Sequence, residues 1–335
     1  MQQVLDSISK GESLGRDEAF ALMNYLIEEE IPIEQVAKLL LVLRNKKETV
    51  DELDGFSDAL LKRAAFQAEN ALPLLLDVCG TGGDGAGTFN VSTAVAFVLA
   101  SLGIPVAKHG NRSVSSRSGS SDVLECLGVK NDVSHASVYS SLQTHNLSFL
   151  FAPHFYPVLA KFGPIRKSIG GFTFFNLLGP ILNPAPLTHQ LMGVYDGSLL
   201  EKTAEVLKRK GRKEAFLVSG EGGLDELSLQ GESRIVALKN GEITSMTVTP
   251  EQFGLKRADL SEVRGGPPEE NAKILEAIFS GEKSPKRDLV LLNASAALVL
   301  TGRENSFQDG VKLAGKALDN GTTLDLLNRM RKQTP

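Results

Sequence analysis

Apolar positions recur at helical spacing through the first 70 residues. Phe20, Leu22, Met23, Leu26 and Ile27 follow a start signal of Ser13 with Arg16-Asp17-Glu18. Pro32 opens a second stretch with Val36, Leu39, Leu40 and Leu43, and a third runs from about Val50 through Leu53, Phe56, Leu60 and Leu61. The pattern predicts a helical bundle over 1–70, a packing or dimerisation module without catalytic residues. From residue 74 the rhythm changes. Short apolar runs at 74–79, 104–108, 148–151, 191–194, 214–218 and 289–292 predict strands. Helical patterns lie between them, for example at 92–102, 121–127, 199–210 and 271–279. This alternation predicts an α/β domain over 71–335, with a mainly parallel central sheet flanked by helices. Such sheets bind ligands beyond the carboxyl ends of their strands, which directs attention to the loops after 79, 108, 151 and 218. The stretch 231–268 shows β-like alternation and polar turns and suggests no chemistry.

Composition changes this picture little. The 335 residues are 42% hydrophobic and 23% charged, ordinary globular material. A net charge of −4 gives no global attraction to nucleic acid or an anionic membrane. Cys79 and Cys126 form no metal-spaced set and read as small buried thiols, which suits a reducing cytoplasm. The N-terminus has no basic segment followed by an apolar core, so no signal peptide is expected. The most apolar stretch, 91–107, is interrupted by Ser101, Gly103 and Pro105 and reads as helix plus strand rather than a membrane span.

The candidate chemistry begins between the first strand and the helix that follows. Five glycines fall between Gly80 and Gly87, and Asn90-Val91-Ser92-Thr93 then opens the helix. Strand, glycine loop and helix N-terminus together hold phosphate, because glycine permits close backbone approach and the helix start offers free N–H groups. Gly80-Thr81-Gly82-Gly83-Asp84-Gly85 also satisfies the dinucleotide fingerprint. That fingerprint requires an acid at the end of the second strand. Here that strand ends in Lys108-His109-Gly110-Asn111-Arg112, which counts against NAD and leaves NADP formally open. No G-K-[S/T] follows, so a P-loop is excluded.

The stretch 108–121 carries three cationic side chains, six hydroxyls and no acid. Beside the glycine loop it supplies more anion-binding capacity than one phosphate needs, and the two together imply a ligand with two separated phosphate groups. A third loop, Gly220-Glu221-Gly222-Gly223-Leu224-Asp225-Glu226, ends in adjacent carboxylates. These read as a surface turn or as oxygen ligands for Mg²⁺, which favours one or two carboxylates plus substrate phosphates.

Taken in this order the loops resemble the anthranilate phosphoribosyltransferase family. The likeness is carried by Asp77 to Gly85, Thr88 to Thr93, Val106 to Arg112, Asn176 to Pro180 with Asn183-Pro184, and Leu224-Asp225-Glu226. Arg264-Gly265-Gly266, Asn271-Ala272 and Asn293-Ala294 extend it toward the C-terminus. The resemblance implies a small helical domain, completed by helices near 153–175, on a larger α/β domain, in a homodimer formed through the helical domain. It implies transfer of phosphoribose from phosphoribosyl pyrophosphate, with Mg²⁺, to the amine of anthranilate. The same fold also serves phosphoribosyltransferases with other aromatic-amine acceptors and nucleoside phosphorylase relatives. Carried over by position, the donor site comprises Gly80, Gly82, Gly83, Asp84, Thr88, Asn90, Val91, Ser92 and Thr93. It continues through Lys108, His109, Gly110, Asn111, Arg112, Ser113, Val114, Ser115, Ser116 and Ser120. Ser92, Asp225 and Glu226 would hold the metal, and Gly80, His109, Asn111, Arg166 and Gly179 would meet the acceptor. No side-chain nucleophile is demanded, since the amine itself attacks. Two positions depart from the family pattern: Tyr156 stands where a histidine precedes Pro157, with His154 two places earlier, and Phe172 stands where the family has an arginine.

Overall fold

Helical spacing in the N-terminal segment produces four helices, α1 (Gln2–Ser9), α2 (Arg16–Glu28), α3 (Ile33–Lys46) and α4 (Val50–Leu61). The computed structural model describes residues 2–64, 72–112, 118–131 and 134–332. The start of α2 falls at Gly15, whose N–H is met by the Glu18 carboxylate at 2.9 Å, rather than at Ser13. Thr49 and Glu52 cap α4 reciprocally, Thr49 Oγ1 accepting from Glu52 N–H and Glu52 Oε2 from Thr49 N–H. The apolar faces of α2, α3 and α4 close on one another through Leu22, Leu26, Leu40, Leu43 and Phe56, all buried.

The remainder is the α/β part. Its elements are β1 (Leu76–Gly80), α5 (Val91–Ser101), β2 (Val106–Gly110), α6 (Ser120–Cys126), α7 (His135–His145), β3 (Leu147–Phe151), α8 (Ala152–Phe155), α9 (Phe162–Ile169) and α10 (Phe174–Ile181). Then come β4 (His189–Gly193), α11 (Leu200–Arg209), β5 (Glu214–Gly220), β6 (Ser233–Lys239) and β7 (Glu242–Val248). Four helices close the chain, α12 (Pro268–Phe279), α13 (Pro285–Leu300), α14 (Phe307–Asp319) and α15 (Thr322–Lys332).

The seven strands form one sheet in the order β3-β2-β1-β4-β5-β6-β7. The first five are parallel, with Asp77 opposite Gln190 and Lys108 opposite Phe149, and β6 and β7 add an antiparallel edge. Asn240 and Gly241, both at positive φ, turn the β6–β7 hairpin. One sheet face is covered by α5, α6 and α12–α15, the other by α9–α11 and the N-terminal bundle. The bundle is fastened by stacking of Phe56 on Phe174 at 4.8 Å, by Lys161 Nζ donating to the Ile27 and Glu29 carbonyls, and by Lys210 between Asp54 and Asp58.

The run 289–292, expected as a strand, lies inside α13. Every residue from Leu289 to Leu298 is buried, because α13 packs among α5, α14 and the sheet. A helix enclosed on all sides has no polar face, so a four-residue apolar window cannot separate it from a core strand. Among the described residues no helix is long and apolar enough to cross a membrane.

Because β2 and β3 extend the sheet to one side of β1 and β4 to β7 to the other, the strand order reverses beside β1. The carboxyl ends of β1 and β4 therefore open onto a crevice, where open α/β sheets bind ligands.

Candidate active site

The glycine loop leaves β1 at this crevice. Gly82, Gly83, Gly85 and Gly87 all take positive φ, between 65° and 83°, a region closed to most L-residues. Gly80 is needed for another reason: a Cβ there would lie 2.3 Å from Asp225 Oδ2. On β4, a Cβ at Gly193 would fall 1.5 Å from the Asp225 carbonyl. Asp225 thus enters the loop by a path that only glycine leaves open, and its Oδ2 accepts from Gly82 N–H at 2.7 Å.

Asp225 and Glu226 are partly exposed as residues, while their carboxyl groups are shielded. Burial, with the neighbouring Asp84 carboxylate, pushes Asp225 up to about 7. Glu226 is driven well above the usual range by burial and by the charges of Asp225 and Asp84. Lys108 and a hydrogen bond from Thr88 oppose this only in part. Glu226 Oε2 and Asp84 Oδ2 are buried without a partner among the described residues. A cavity of about 20 Å³, the size of one water or ion, lies between Ser92, Asp225, Glu226 and Asn293. Two crowded carboxylates, orphaned oxygens and a hydroxyl around an atom-sized space suit a hard divalent cation. Mg²⁺ takes one or two protein carboxylates and completes its shell from substrate phosphates and water.

Lys108 turns inward. Its Nζ donates to the Val78 carbonyl at 2.7 Å and to Ser92 Oγ at 3.0 Å, and burial lowers its pKa. Asn90 does not cap α5; its amide is held by Ser118 and Asn271. Among the described residues no side chain caps the first turn of α5, and a helix start of this kind suits an anion. Val91 and Thr93 are buried in the same turn. Arg112 pairs with Asp122 and Glu125, and Ser120 donates to the Asn111 carbonyl at 3.3 Å. Ser113, Val114, Ser115 and Ser116 lie outside the described residues.

A second cleft, of about 380 Å³, opens on the bundle side of the loop, a volume suited to a small ligand. It is lined by all five residues expected at the acceptor, Gly80, His109, Asn111, Arg166 and Gly179. Among the described residues Arg112 and Arg166 are its charged residues, and no Asp or Glu lines it. Arg166 is half-buried, lies 5.6 Å from the Phe175 ring centroid and donates to Asn176 Oδ1 at 3.2 Å. Among the described residues it makes no salt bridge, and burial lowers its pKa. His109 Nδ1 donates to the Gly179 carbonyl at 3.1 Å, which fixes the tautomer and leaves Nε2 a bare acceptor. Burial holds this imidazole neutral, its pKa lowered to about 4.

His154 does not substitute at the cleft; it is exposed, with its ring 5.5 Å from that of Phe151. Phe172 packs on Tyr195 at 4.1 Å and against Gly83, where a Cβ would lie 3.3 Å from its ring. Arg44 of α3 reaches the same turn, donating to the Gly170 carbonyl at 3.0 Å.

Several supporting residues lie outside the sequence-derived set. Asn293 accepts from Leu227 N–H and donates to the Leu227 carbonyl, anchoring the chain just after Glu226. Asn271 bridges Gly266 and Asn90. Asp77, fully buried, receives Asn183 Nδ2 at 2.9 Å and His109 N–H at 3.3 Å. Position within shared motifs was the one signal that could have found them. Tyr156, a fourth, lines the cleft.

Known proteins share this layout. Residues 2–64 match the family described as glycosyl transferase family, helical bundle domain, and residues 72–324 match the glycosyl transferase family, a/b domain. The anthranilate phosphoribosyltransferase of Lacticaseibacillus casei is 44% identical over 330 residues, covering 98% of this chain and 96% of its own. The crystal structure of anthranilate phosphoribosyltransferase from Thermus thermophilus superposes with a TM-score of 0.90 at 38% identity, covering 98% of both chains. The Saccharomyces cerevisiae enzyme, solved in complex with PRPP and Mg, gives a TM-score of 0.84 at 29% identity over 95% of this chain and 92% of that one. Relatives of one name thus match the bundle, the sheet and the loops between them in a single alignment, and the chain belongs to the anthranilate phosphoribosyltransferase family.

Proposed function

We propose that this chain transfers phosphoribose from phosphoribosyl pyrophosphate to the amine of anthranilate, giving N-(5-phosphoribosyl)anthranilate and pyrophosphate, a step of tryptophan biosynthesis. The observation that carries this reading is the division of charge across the glycine loop. On one side Asp225 and Glu226 line an atom-sized cavity with the Asp84 carboxylate beside Asp225; on the other, a cleft lined by no described Asp or Glu holds Arg166, which makes no salt bridge among the described residues. A metal–diphosphate fits the first environment, and a carboxylate-bearing aromatic amine fits the second.

On this reading the amine lone pair forms the N–C1′ bond while the C1′–O bond to pyrophosphate breaks with its electron pair, and the amine then loses a proton. Positive charge builds on the ribose ring as in glycoside cleavage, and negative charge on the departing pyrophosphate. Asp225, Glu226 and Ser92 would hold Mg²⁺, which when bound neutralises the pyrophosphate. Gly80, Gly83, Asp84 and Thr88, with the open first turn at Asn90 to Thr93, bound its phosphates, while Gly82, whose N–H is held by Asp225, shapes the loop around them. Lys108 acts from behind, orienting the Ser92 hydroxyl and supplying a fixed positive charge. Gly110, Arg112 and Ser120 bound the donor on the β2 side; Ser113 to Ser116 are assigned there by resemblance alone. Arg166 pairs with the anthranilate carboxylate, and Asn111, His109 and Gly179 flank the ring.

We assign the helices from 153 to 175 to the helical domain, on their packing against α3 and α4. We also assign a homodimer through that domain, supported by an apolar groove between α1, α2 and α3 and by half-exposed Ile33. Cys79 is buried as expected, but Cys126, expected buried, is exposed; as free thiols both suit a cytoplasmic protein. The test mixes protein, Mg²⁺, phosphoribosyl pyrophosphate and anthranilate and follows anthranilate fluorescence. Fluorescence should fall only with all four present. Folded protein that leaves it unchanged would sink the acceptor assignment.

A further inference from the structure

The first turn of α5 goes without a cap that its own sequence offers. Asn90 stands at the N-cap position, and asparagine is among the strongest capping residues, its oxygen accepting from an N–H two or three positions on. Here it does not do so. Its φ of −72° and ψ of 67° are those of an inverse γ-turn, closed by Val91 N–H donating to the Phe89 carbonyl at 2.7 Å. Among the described residues nothing accepts from the N–H of Ser92 or of Thr93.

Asn90 is engaged elsewhere, by Asn271 of α12, which is 2% exposed. Gly266 N–H donates to Asn271 Oδ1 at 2.8 Å, Asn271 Nδ2 to Asn90 Oδ1 at 3.0 Å, and Asn90 Nδ2 to the Ser118 carbonyl at 3.2 Å. Both ends of this relay are backbone groups, one able only to donate and the other only to accept, so the orientation of each amide is set. Ser118 Oγ donates to the same Asn90 oxygen at 3.1 Å, which occupies both of its lone pairs. Asn271 is itself held close to the glycine loop. Gly265 N–H donates to the Gly87 carbonyl at 2.9 Å, and a Cβ at Gly265 would lie 2.6 Å from both Asn271 Oδ1 and Phe89 Cα. The oxygen suited to cap α5 is thus drawn away from it by a residue 181 positions distant.

We propose that Asn271 is a positioning residue of the donor site: by engaging Asn90 Oδ1 it keeps the protein from capping α5 itself, and so reserves the Ser92 and Thr93 N–H groups for a phosphate oxygen. This rests on the donor site proposed above and adds how that site is kept open. Without Asn271, the Asn90 side chain turns to Ser92 or Thr93 and competes with the donor.

The experiment measures by calorimetry the Kd of phosphoribosyl pyrophosphate with Mg²⁺ for wild type, Asn271→Ala, Asn90→Ala and the double variant. Alanine cannot cap, so the cycle asks whether Asn271 acts through Asn90. Asn271→Ala should weaken binding by about five- to thirtyfold, the worth of the cap that Asn90 then supplies. In the Asn90→Ala background the same substitution should change Kd by less than about twofold. An equal loss in both backgrounds overturns the proposal and marks Asn271 as a prop for Gly265 and Gly266 alone. Unchanged binding in Asn271→Ala overturns it as well. Should Asn271→Ala not fold, Asn271→Asp takes its place in the cycle: it keeps an acceptor for Gly266 N–H, its carboxylate cannot donate to Asn90, and its added charge is common to both backgrounds and cancels. Wild type that binds no phosphoribosyl pyrophosphate with Mg²⁺ overturns the donor site itself, and is seen before any variant is made.

Discussion

Acid should loosen this fold measurably through a single residue, His109. The ring is 8% exposed, donates to the Gly179 carbonyl, and sits beside the Lys108 charge. Burial first, then Lys108, disfavour the imidazolium, so its pKa falls from 6.5 to about 4, while the bond to Gly179 opposes the shift. The folded value lies below the unfolded one. The contribution is therefore complete above pH 6.5 and is lost as pH falls toward 4, because the unfolded chain takes up a proton that the folded chain refuses. At about 1.4 kcal/mol per pKa unit the full window is worth about 3 kcal/mol, of which about 2 kcal/mol falls between pH 7 and pH 5. His109→Asn keeps an N–H for Gly179 and cannot titrate. Urea unfolding of both proteins at the two pH values, followed by circular dichroism, isolates the residue, since carboxylate titrations common to both cancel. Wild type should lose about 2 kcal/mol more than the variant. Equal losses would refute the reasoning and mean that the folded protein accommodates the imidazolium. Neutral His109 also implies that the acceptor KM stays flat from about pH 6 to 8.

Asp225→Asn with Glu226→Gln should lower activity by about a hundredfold or more while raising the Tm of the metal-free protein at pH 8, since crowded buried carboxylates repel; an unchanged or lowered Tm argues against the crowding. Gly193→Ala should destabilise by about 1–3 kcal/mol and lower activity, because the new methyl falls 1.5 Å from the Asp225 carbonyl. Gly82→Ala meets no atom within 4 Å and should incur only the backbone strain of about 1 kcal/mol, so denaturant midpoints should separate the two. Arg166→Ala should raise the acceptor KM far more than the donor KM, and Arg166→Lys should not restore it if the contact is two-pronged; parallel changes in both KM values would undo the separation of sites.

Sequence patterns make some of these features visible and hide others for physical reasons. The glycine loop is legible because positive φ at Gly82, Gly83, Gly85 and Gly87 leaves a residue signature. Gly80 belongs to the same run, yet its need arises from Asp225, 145 positions away, and no local rule exposes it. Parallel strands β1 to β5 are legible as short apolar runs, and α13 is misread by the same rule. The β6–β7 hairpin carries an Asn240-Gly241 turn that predicts it well, although the solvent face of β7 weakens the apolar signal. Lys108 reads from sequence as a phosphate ligand at a strand end, but its side chain folds back to Val78 and Ser92. Direction of a side chain is decided by packing, and the same holds for Asn90, a capping residue by sequence whose amide is held instead by Ser118 and Asn271.

Phosphoribosyl pyrophosphate and anthranilate are both anions, yet the proposed reaction needs one carbon of the first beside the nitrogen of the second. The fold answers with two environments of opposite sign that share a wall one backbone thick. Gly80 lines the acid-free cleft, and the position of its missing Cβ is filled by Asp225 Oδ2 from the carboxylate side. Gly82 lines the cleft too, while its N–H is held by the same carboxylate. At interior effective dielectrics, unlike neighbours at such spacing interact by several kcal/mol, so each substrate is directed to its own side. The proposed reacting centres must then meet along Gly80 to Gly82, where neither substrate encounters a side chain beyond the small Thr81.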